Sequence, residues 1–286
     1  MYNNIYEKFD SKTIELEDMV LSRSNESFDV RLRVHEFILE FLKRYKKETT
    51  KQTQSNHNNK IWVYWGQGKN AMPPIVRMCY KQLYLFHESR DIILLDDENI
   101  SDYVTIPDYV YTKLRDNKTH FSDVLRVALL EQHGGTWIDA TCYCSGSTEP
   151  LYESALKTGY FAYSFIEGKE FLLSSWFMTS RPNAIIPWLL KDALYYYWSE
   201  REEIEHYYMF HYMFEALYNL NAEFRACWDA RLFLNREPPH ELQRRLFKDF
   251  CIDKWNEIMK ISLVHKLTYK YPDGEYKGTY LSHILG

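Results

Sequence analysis

The chain has 286 residues, 45% of them hydrophobic, enough to bury a full core in one large domain or one domain with an elaborated half. Its 35 basic and 40 acidic side chains leave a net charge of −5, which argues against a nucleic-acid binder working by broad phosphate neutralisation. No apolar run reaches the roughly 18–20 residues of a membrane-spanning helix, the start MYNNIYEKFDSKTIELED lacks the pattern of a signal peptide, and five cysteines, an odd count, read as reduced thiols; a cytoplasmic protein is expected.

Residues 28–47, FDVRLRVHEFILEFLKRYKK, set Val34, Phe37, Ile38, Phe41 and Tyr45 at helical spacing, with Arg31, Arg33, Lys43, Arg44, Lys46 and Lys47 elsewhere on the surface. This predicts an amphipathic helix with a basic face, either packed on the main domain with its charged side solvated or attached to an anionic membrane surface by a peripheral contact. The polar run ETTKQTQSNHNNK reads as a linker, so residues 1–60 form an N-terminal helical extension and linker ahead of a main domain at 61–286.

IWVYW at 61–65 is a buried-strand run, and PPIVRMCYKQLYLFH follows as a helix with prolines in its first turn. DIILLDDEN is a second strand, 92–95, ending in Asp96 and Asp97, which cap the next helix or contact a ribose or base. Short helices over 102–130 lead to TWIDATCY, a third strand. Strands alternating with helices predict an α/β sheet with crossover connections, in which ligands sit beyond the carboxyl ends of the strands. Two further strands, at 159–163 and 171–179, precede a helical, aromatic-rich region from Pro187 to about Ile261, and a short strand-like piece follows near the end.

In SDVLRVALLEQHGG, Asp123 and Arg126 lie three apart and share a helix face. Taken alone, such a pair is most often a structural ion pair. Gly134-Gly135 then ends the helix in a left-handed conformation and turns the chain into the strand that ends at Asp139, which brings that acid near the helix pair. Two positions later, where a second acid would complete a metal-binding pair, stands Thr141. Cys142 and Cys144 have no partner pair at zinc-site spacing, and neither a G-x-S-x-G elbow nor a G-x-G-x-x-G turn occurs.

These residues resemble the sugar-transferase pattern S-D-x-x-R, Gly-Gly, apolar strand, D-x-D of glycosyltransferase family 32 and the bacterial glucosylating toxins. Ser122, Asp123, Arg126, Gly134, Gly135 and Asp139 carry the match. With IWVYWGQG, SSWFM, PPHELQ and HKLTYK in order, the chain resembles the capsular polysaccharide synthesis protein family from about Ile61 to Tyr280, including its D-A-T form.

The resemblance implies an α/β, Rossmann-like GT-A fold with a mixed central sheet and a large helical C-terminal elaboration. Residues 61–150 would bind the nucleotide sugar and 151–286 would form an acceptor-side helical half. The implied activity is that of a retaining glycosyltransferase in capsular or other surface polysaccharide biosynthesis. It would move a hexose from a nucleotide sugar, UDP-linked by preference, to a glycan acceptor on a polyprenyl diphosphate at the inner membrane face. Retention would arise by front-face displacement or through a covalent intermediate.

In this reading Asp139, Asp123 and Arg126 are the catalytic set. Asp123 accepts sugar hydroxyls and Arg126 offers planar donors to oxygen. Tyr64 or Trp65 stacks on the base. Trp176 and His211 lie on the sugar or acceptor side, Lys266 and Lys270 neutralise diphosphate, and Arg244 and Arg245 are available to an anionic acceptor. A divalent cation, Mn2+ or Mg2+, is implied, with Asp139 as its ligand, Thr141 as a weak one and His265 as a helper. Because Thr141 replaces the second acid, positive side chains in place of the ion remain open. The same substitution motivates an alternative from another class, a catalytically inactive nucleotide-sugar-binding scaffold of a polysaccharide assembly complex.

Overall fold

A computed structural model describes residues 28–45, 59–165 and 173–286. A five-stranded mixed sheet lies at the centre, in the order β2-β1-β3-β6-β5. Strand β1 (Lys60–Tyr64) pairs in parallel with β2 (Asp91–Leu95) and with β3 (Gly135–Ile138). Strand β6 (Leu173–Ser180) runs antiparallel to both β3 and β5 (Tyr160–Ser164). The carboxyl ends of β1, β2, β3 and β5 therefore share one edge.

Alternation along β1 divides the core. Trp62 and Tyr64 face a cluster containing helix α1 (Phe28–Arg44), α3 (Asp108–Leu114), α4 (Lys118–His133), α6 (Ile185–Glu200), α7 (Met209–Leu220) and α8 (Ala222–Asp229). Ile61 and Val63 face the other cluster, with α2 (Pro74–Phe86), α5 (Glu149–Thr158), α9 (Ile252–Ile261) and α10 (Tyr280–Leu285). The chain leaves β1 for β2 on one side and returns to β3 on the other, through helices on opposite faces of the sheet. Strand order thus reverses at β1, and the crevice outside the ends of β1 and β3 is where such a sheet receives a ligand.

Two expectations change. TWIDATCY is not one strand: β3 stops at Ile138, Asp139-Ala140-Thr141 turns, and β4 (Cys142–Cys144) leaves for a separate two-stranded sheet with β7 (Val264–Lys266). Gly134 and Gly135 do adopt positive φ, 67° and 89°, but Gly134 has ψ −153°, outside the left-handed helical region.

The N-terminal helix packs into the main domain. Val34, Ile38, Phe41 and Leu42 are buried in the core, and Arg31 pairs with Glu215 of α7 in the interior. Its surface charges have acidic neighbours: Arg33 meets Glu205, and Lys43 and Arg44 meet Glu40. The expected linker falls largely at 46–58, outside the described residues, as do Lys46 and Lys47. No described helix is long and apolar enough to cross a membrane.

Candidate active site

The D-A-T turn is built by backbone hydrogen bonds. The Asp139 N–H donates to the Trp176 carbonyl of β6 at 2.9 Å, and the Cys142 N–H donates to the Asp139 carbonyl at 2.9 Å, closing the turn. The Leu267 N–H donates to the Thr141 carbonyl at 2.9 Å, tying the turn to the segment that carries Lys266. Two residues apart on a strand share a face, so Trp137 Nε1 reaches Asp139 Oδ1 at 2.9 Å. The Lys266 ammonium donates to Asp139 Oδ2 and to Thr141 Oγ1, each at 2.7 Å.

Burial alone would raise the Asp139 carboxyl, but Lys266 and Arg126 outweigh it and hold it below the usual carboxylate range. Burial likewise opposes the Lys266 ammonium, and Asp139 outweighs it, leaving Lys266 raised. Both groups are therefore charged at neutral pH.

Helix α4 brings the second part. Its N-cap Asn117 accepts from the His120 N–H, and the helix buries Val124, Leu125, Ala128 and Leu129, which fixes the roll that points Asp123 and Arg126 at the β3 end. Arg126 Nη2 lies 3.3 Å from Asp123 Oδ1 and 3.8 Å from Asp139 Oδ1. Its Nε donates to the Ser122 carbonyl at 3.0 Å, its Nη2 to Ser122 Oγ at 2.8 Å, and its Nη1 to the Ser175 carbonyl of β6 at 2.7 Å. The guanidinium also lies 5.2 Å from the centroid of the Trp137 ring. It is almost entirely buried and works as a brace between the two carboxylates and the sheet.

The third part has no local sequence signal. The Arg236 N–H donates to the Ser164 carbonyl at the end of β5, which holds Arg236 at the same carboxyl edge. Arg236 Nη2 donates to His240 Nε2 at 3.2 Å, so that nitrogen is the acceptor of a neutral imidazole. Burial, with Arg236 adding to it, takes His240 down to about 4. His211 also falls to about 4, first by burial; Asp123 opposes the shift, and Arg126 and Arg236 assist it. Among the described residues, Trp65 Nε1, Trp176 Nε1 and Arg236 Nε are buried donors with no hydrogen-bond acceptor.

A family model described as capsular polysaccharide synthesis protein matches residues 7–284. The chain belongs to that family. The match takes in α1 as well as the motif-bearing region from Ile61, in keeping with the buried Arg31–Glu215 contact. The comparison with curated proteins finds no match. A solved structure titled PaToxG Glycosyltransferase is similar over 61% of this chain and 76% of its own, at 14% identity and a TM-score of 0.42.

Several residues that the capsular-family resemblance singled out lie elsewhere. His265 pairs with Tyr143 across the β4–β7 ladder, one position from Lys266, so its side chain leaves the opposite face of the strand. It is fully buried, its Nε2 is 3.1 Å from Ser145 Oγ, and burial takes it down to about 4, against a backbone hydrogen bond at Ser262. Lys270 is exposed beside the Tyr269 ring. Arg244 pairs with Glu237 and Glu241, and Arg245 with Glu241.

Tyr64 is buried, and its hydroxyl donates to Asp97 Oδ1 at 2.6 Å. Trp65 is half-buried at the strand end, its ring roughly perpendicular to that of Tyr269 with centroids 5.2 Å apart. Asp96 Oδ1 accepts from the N–H groups of Glu98 and Asn99, a local turn cap. Trp176 stacks on Tyr163 at 4.9 Å and stands edge-on to His240 at 5.8 Å, near the turn.

The divalent cation implied by the D-x-D likeness meets a poor donor set. Asp139 is ion-paired to Lys266, Thr141 is a neutral hydroxyl held by the same ammonium, and His265 faces away. Among the described residues no three His, Cys, Asp or Glu side chains are grouped to hold a metal ion. These residues do not fit it.

Proposed function

We propose that this capsular polysaccharide synthesis protein is a retaining glycosyltransferase that moves a hexose from a nucleotide sugar, UDP-linked by preference, to a glycan acceptor carried on a polyprenyl diphosphate. The acceptor would be met at the inner membrane face, through a peripheral contact. The observation that carries the reading is Asp139 at the carboxyl edge of β3, paired to Lys266 and 3.8 Å from Arg126, beside the point where strand order reverses.

When the glycosidic bond to the donor breaks, negative charge develops on the departing diphosphate, so fixed positive groups at its oxygens lower the barrier. Lys266, Arg126 and Arg236 supply such charge at one edge. Asp123 accepts hydroxyl hydrogen bonds from the sugar, Trp65 offers a face to the base, and the unmatched N–H groups of Trp65, Trp176 and Arg236 suit a ligand rich in oxygen acceptors.

The test is incubation of the full chain with UDP- and GDP-hexoses and polyprenyl-diphosphate-linked glycans, following free nucleotide release and the mass of the lipid-linked product. A gain of one hexose on the acceptor supports the reading. Thermal stabilisation by nucleotide, with no release or transfer for any pair, favours the scaffold alternative instead.

A further inference from the structure

We infer that the ammonium of Lys266 stands in the place of the divalent cation, so that this protein binds the diphosphate of its donor without a metal. The inference rests on the nucleotide-sugar reading above and deepens it. In a D-x-D site, two acids converge on an ion of charge +2; in this chain, Asp139 and the hydroxyl of Thr141 converge on a charge of +1, with 2.7 Å to each oxygen.

The charge arithmetic matches the substitution. One carboxylate balances an ammonium, whereas a second at position 141 would add like-charge repulsion that a charge of +1 does not offset and a divalent ion does. A neutral hydroxyl at position 141 is the residue type that lets a lysine settle there. Divalent metals need oxygens at about 2.1 Å in a well-defined shell, and a single acid already engaged by an ammonium does not provide one.

The geometry also leaves the ammonium a free N–H donor. A lysine has three N–H donors, and Asp139 and Thr141 take two of them. The third can be offered to a phosphate oxygen. Lys266 is held for this by the ladder: it pairs with Cys142, and the next N–H, of Leu267, bonds the Thr141 carbonyl. The cation is thereby anchored by the same turn that carries its two oxygen partners. Arg126 and Arg236 extend the positive charge of the site, and both lie within electrostatic reach of His211.

The experiment is calorimetric titration of the full chain with UDP and with GDP, once in excess EDTA and once with Mn2+, repeated on Lys266→Met, whose side chain keeps the stem and loses the charge. The expected result is nucleotide binding by the unaltered chain to the same extent in EDTA as in Mn2+, and weakening by about tenfold or more in Lys266→Met, the loss of a charge-assisted contact. Binding that requires Mn2+ overturns the inference and leaves the donor reading standing. So does unchanged affinity in a folded Lys266→Met. If neither nucleotide binds in either condition, the donor reading fails and this inference falls with it. Where Lys266→Met does not fold, the comparison of EDTA with Mn2+ on the unaltered chain decides.

Discussion

Arg31 of α1 and Glu215 of α7, 184 residues apart, meet as a doubly hydrogen-bonded ion pair, Nε to Oε2 at 3.0 Å and Nη2 to Oε1 at 2.6 Å, sealed from water. Removing one partner leaves the other charged and buried. Glu215→Ala should therefore destabilise the fold by about 3–5 kcal/mol, whereas replacing both partners by apolar residues of similar volume should recover most of the loss. Denaturant unfolding of the two variants checks this; a Glu215→Ala chain as stable as the parent would show that α1 is dispensable to the core.

Asp139→Asn keeps the size and one acceptor of the side chain but removes the charge that holds Lys266 and faces Arg126. Transfer should fall by about a hundredfold or more, in line with losses of preorganised charge at other active sites. The melt should fall as well, because Lys266 loses the charge that offsets its burial, so turnover is compared at a temperature where both chains are folded. Near-normal turnover in a folded variant would remove Asp139 from the chemistry.

Gly135 opens β3 with φ 89°, and a Cβ there would come within 2.5 Å of the Lys60 carbonyl oxygen in β1. Gly135→Ala combines a backbone conformation unsuited to a side chain with a clash against main chain, which cannot swing aside. A loss of about 2 kcal/mol or more is expected. Because β1 and β3 would be pushed apart where the site is built, nucleotide binding should weaken with it, measurable by unfolding and titration in parallel.

Acid should loosen the protein above the range where carboxylates titrate. His211, His240 and His265 are each lowered to about 4 from an ordinary 6.5, chiefly by burial. Between those values the unfolded chain takes up protons that the folded chain refuses. Stability is therefore full above about 6.5 and falls as pH drops toward 4.

His265, sealed inside, should weigh most, on the order of 1–3 kcal/mol. The lowered Asp139 acts in a more acidic window, its contribution being lost as pH falls through its folded value. The raised Lys266 loses its contribution only as pH rises above 10.5 through its folded value. Unfolding curves at several pH values check the window; His265→Gln should flatten the slope between 6.5 and 4 if it folds, and an unchanged slope there would show that His265 is not its source.

Much of the site was readable because it depends on short-range geometry. Asp123 and Arg126 share a face by helical periodicity, Gly134-Gly135 is a turn because other residues resist positive φ there, and Asp139 ends a strand because apolar residues run up to it. The break after Ile138 was hidden, since Thr136 to Tyr143 stays buried at every position but Asp139, and a chain that changes sheets keeps its burial. Arg236 was hidden for another reason: it is held by the end of β5, which is distant in sequence, and the motif PPHELQ begins two residues beyond it.

By itself, then, the sequence determined the alternating α/β elements, the paired charges of α4 and the acid at the tip of β3, all of which follow from the geometry of nearby residues. It also placed histidine and lysine side by side at 265 and 266 without saying which meets the acid. Only the tertiary structure decided that. Side chains alternate along a strand, so the register that sets Cys142 opposite Lys266 sends the lysine to Asp139 and His265 into the core, and a slip of one residue would exchange them.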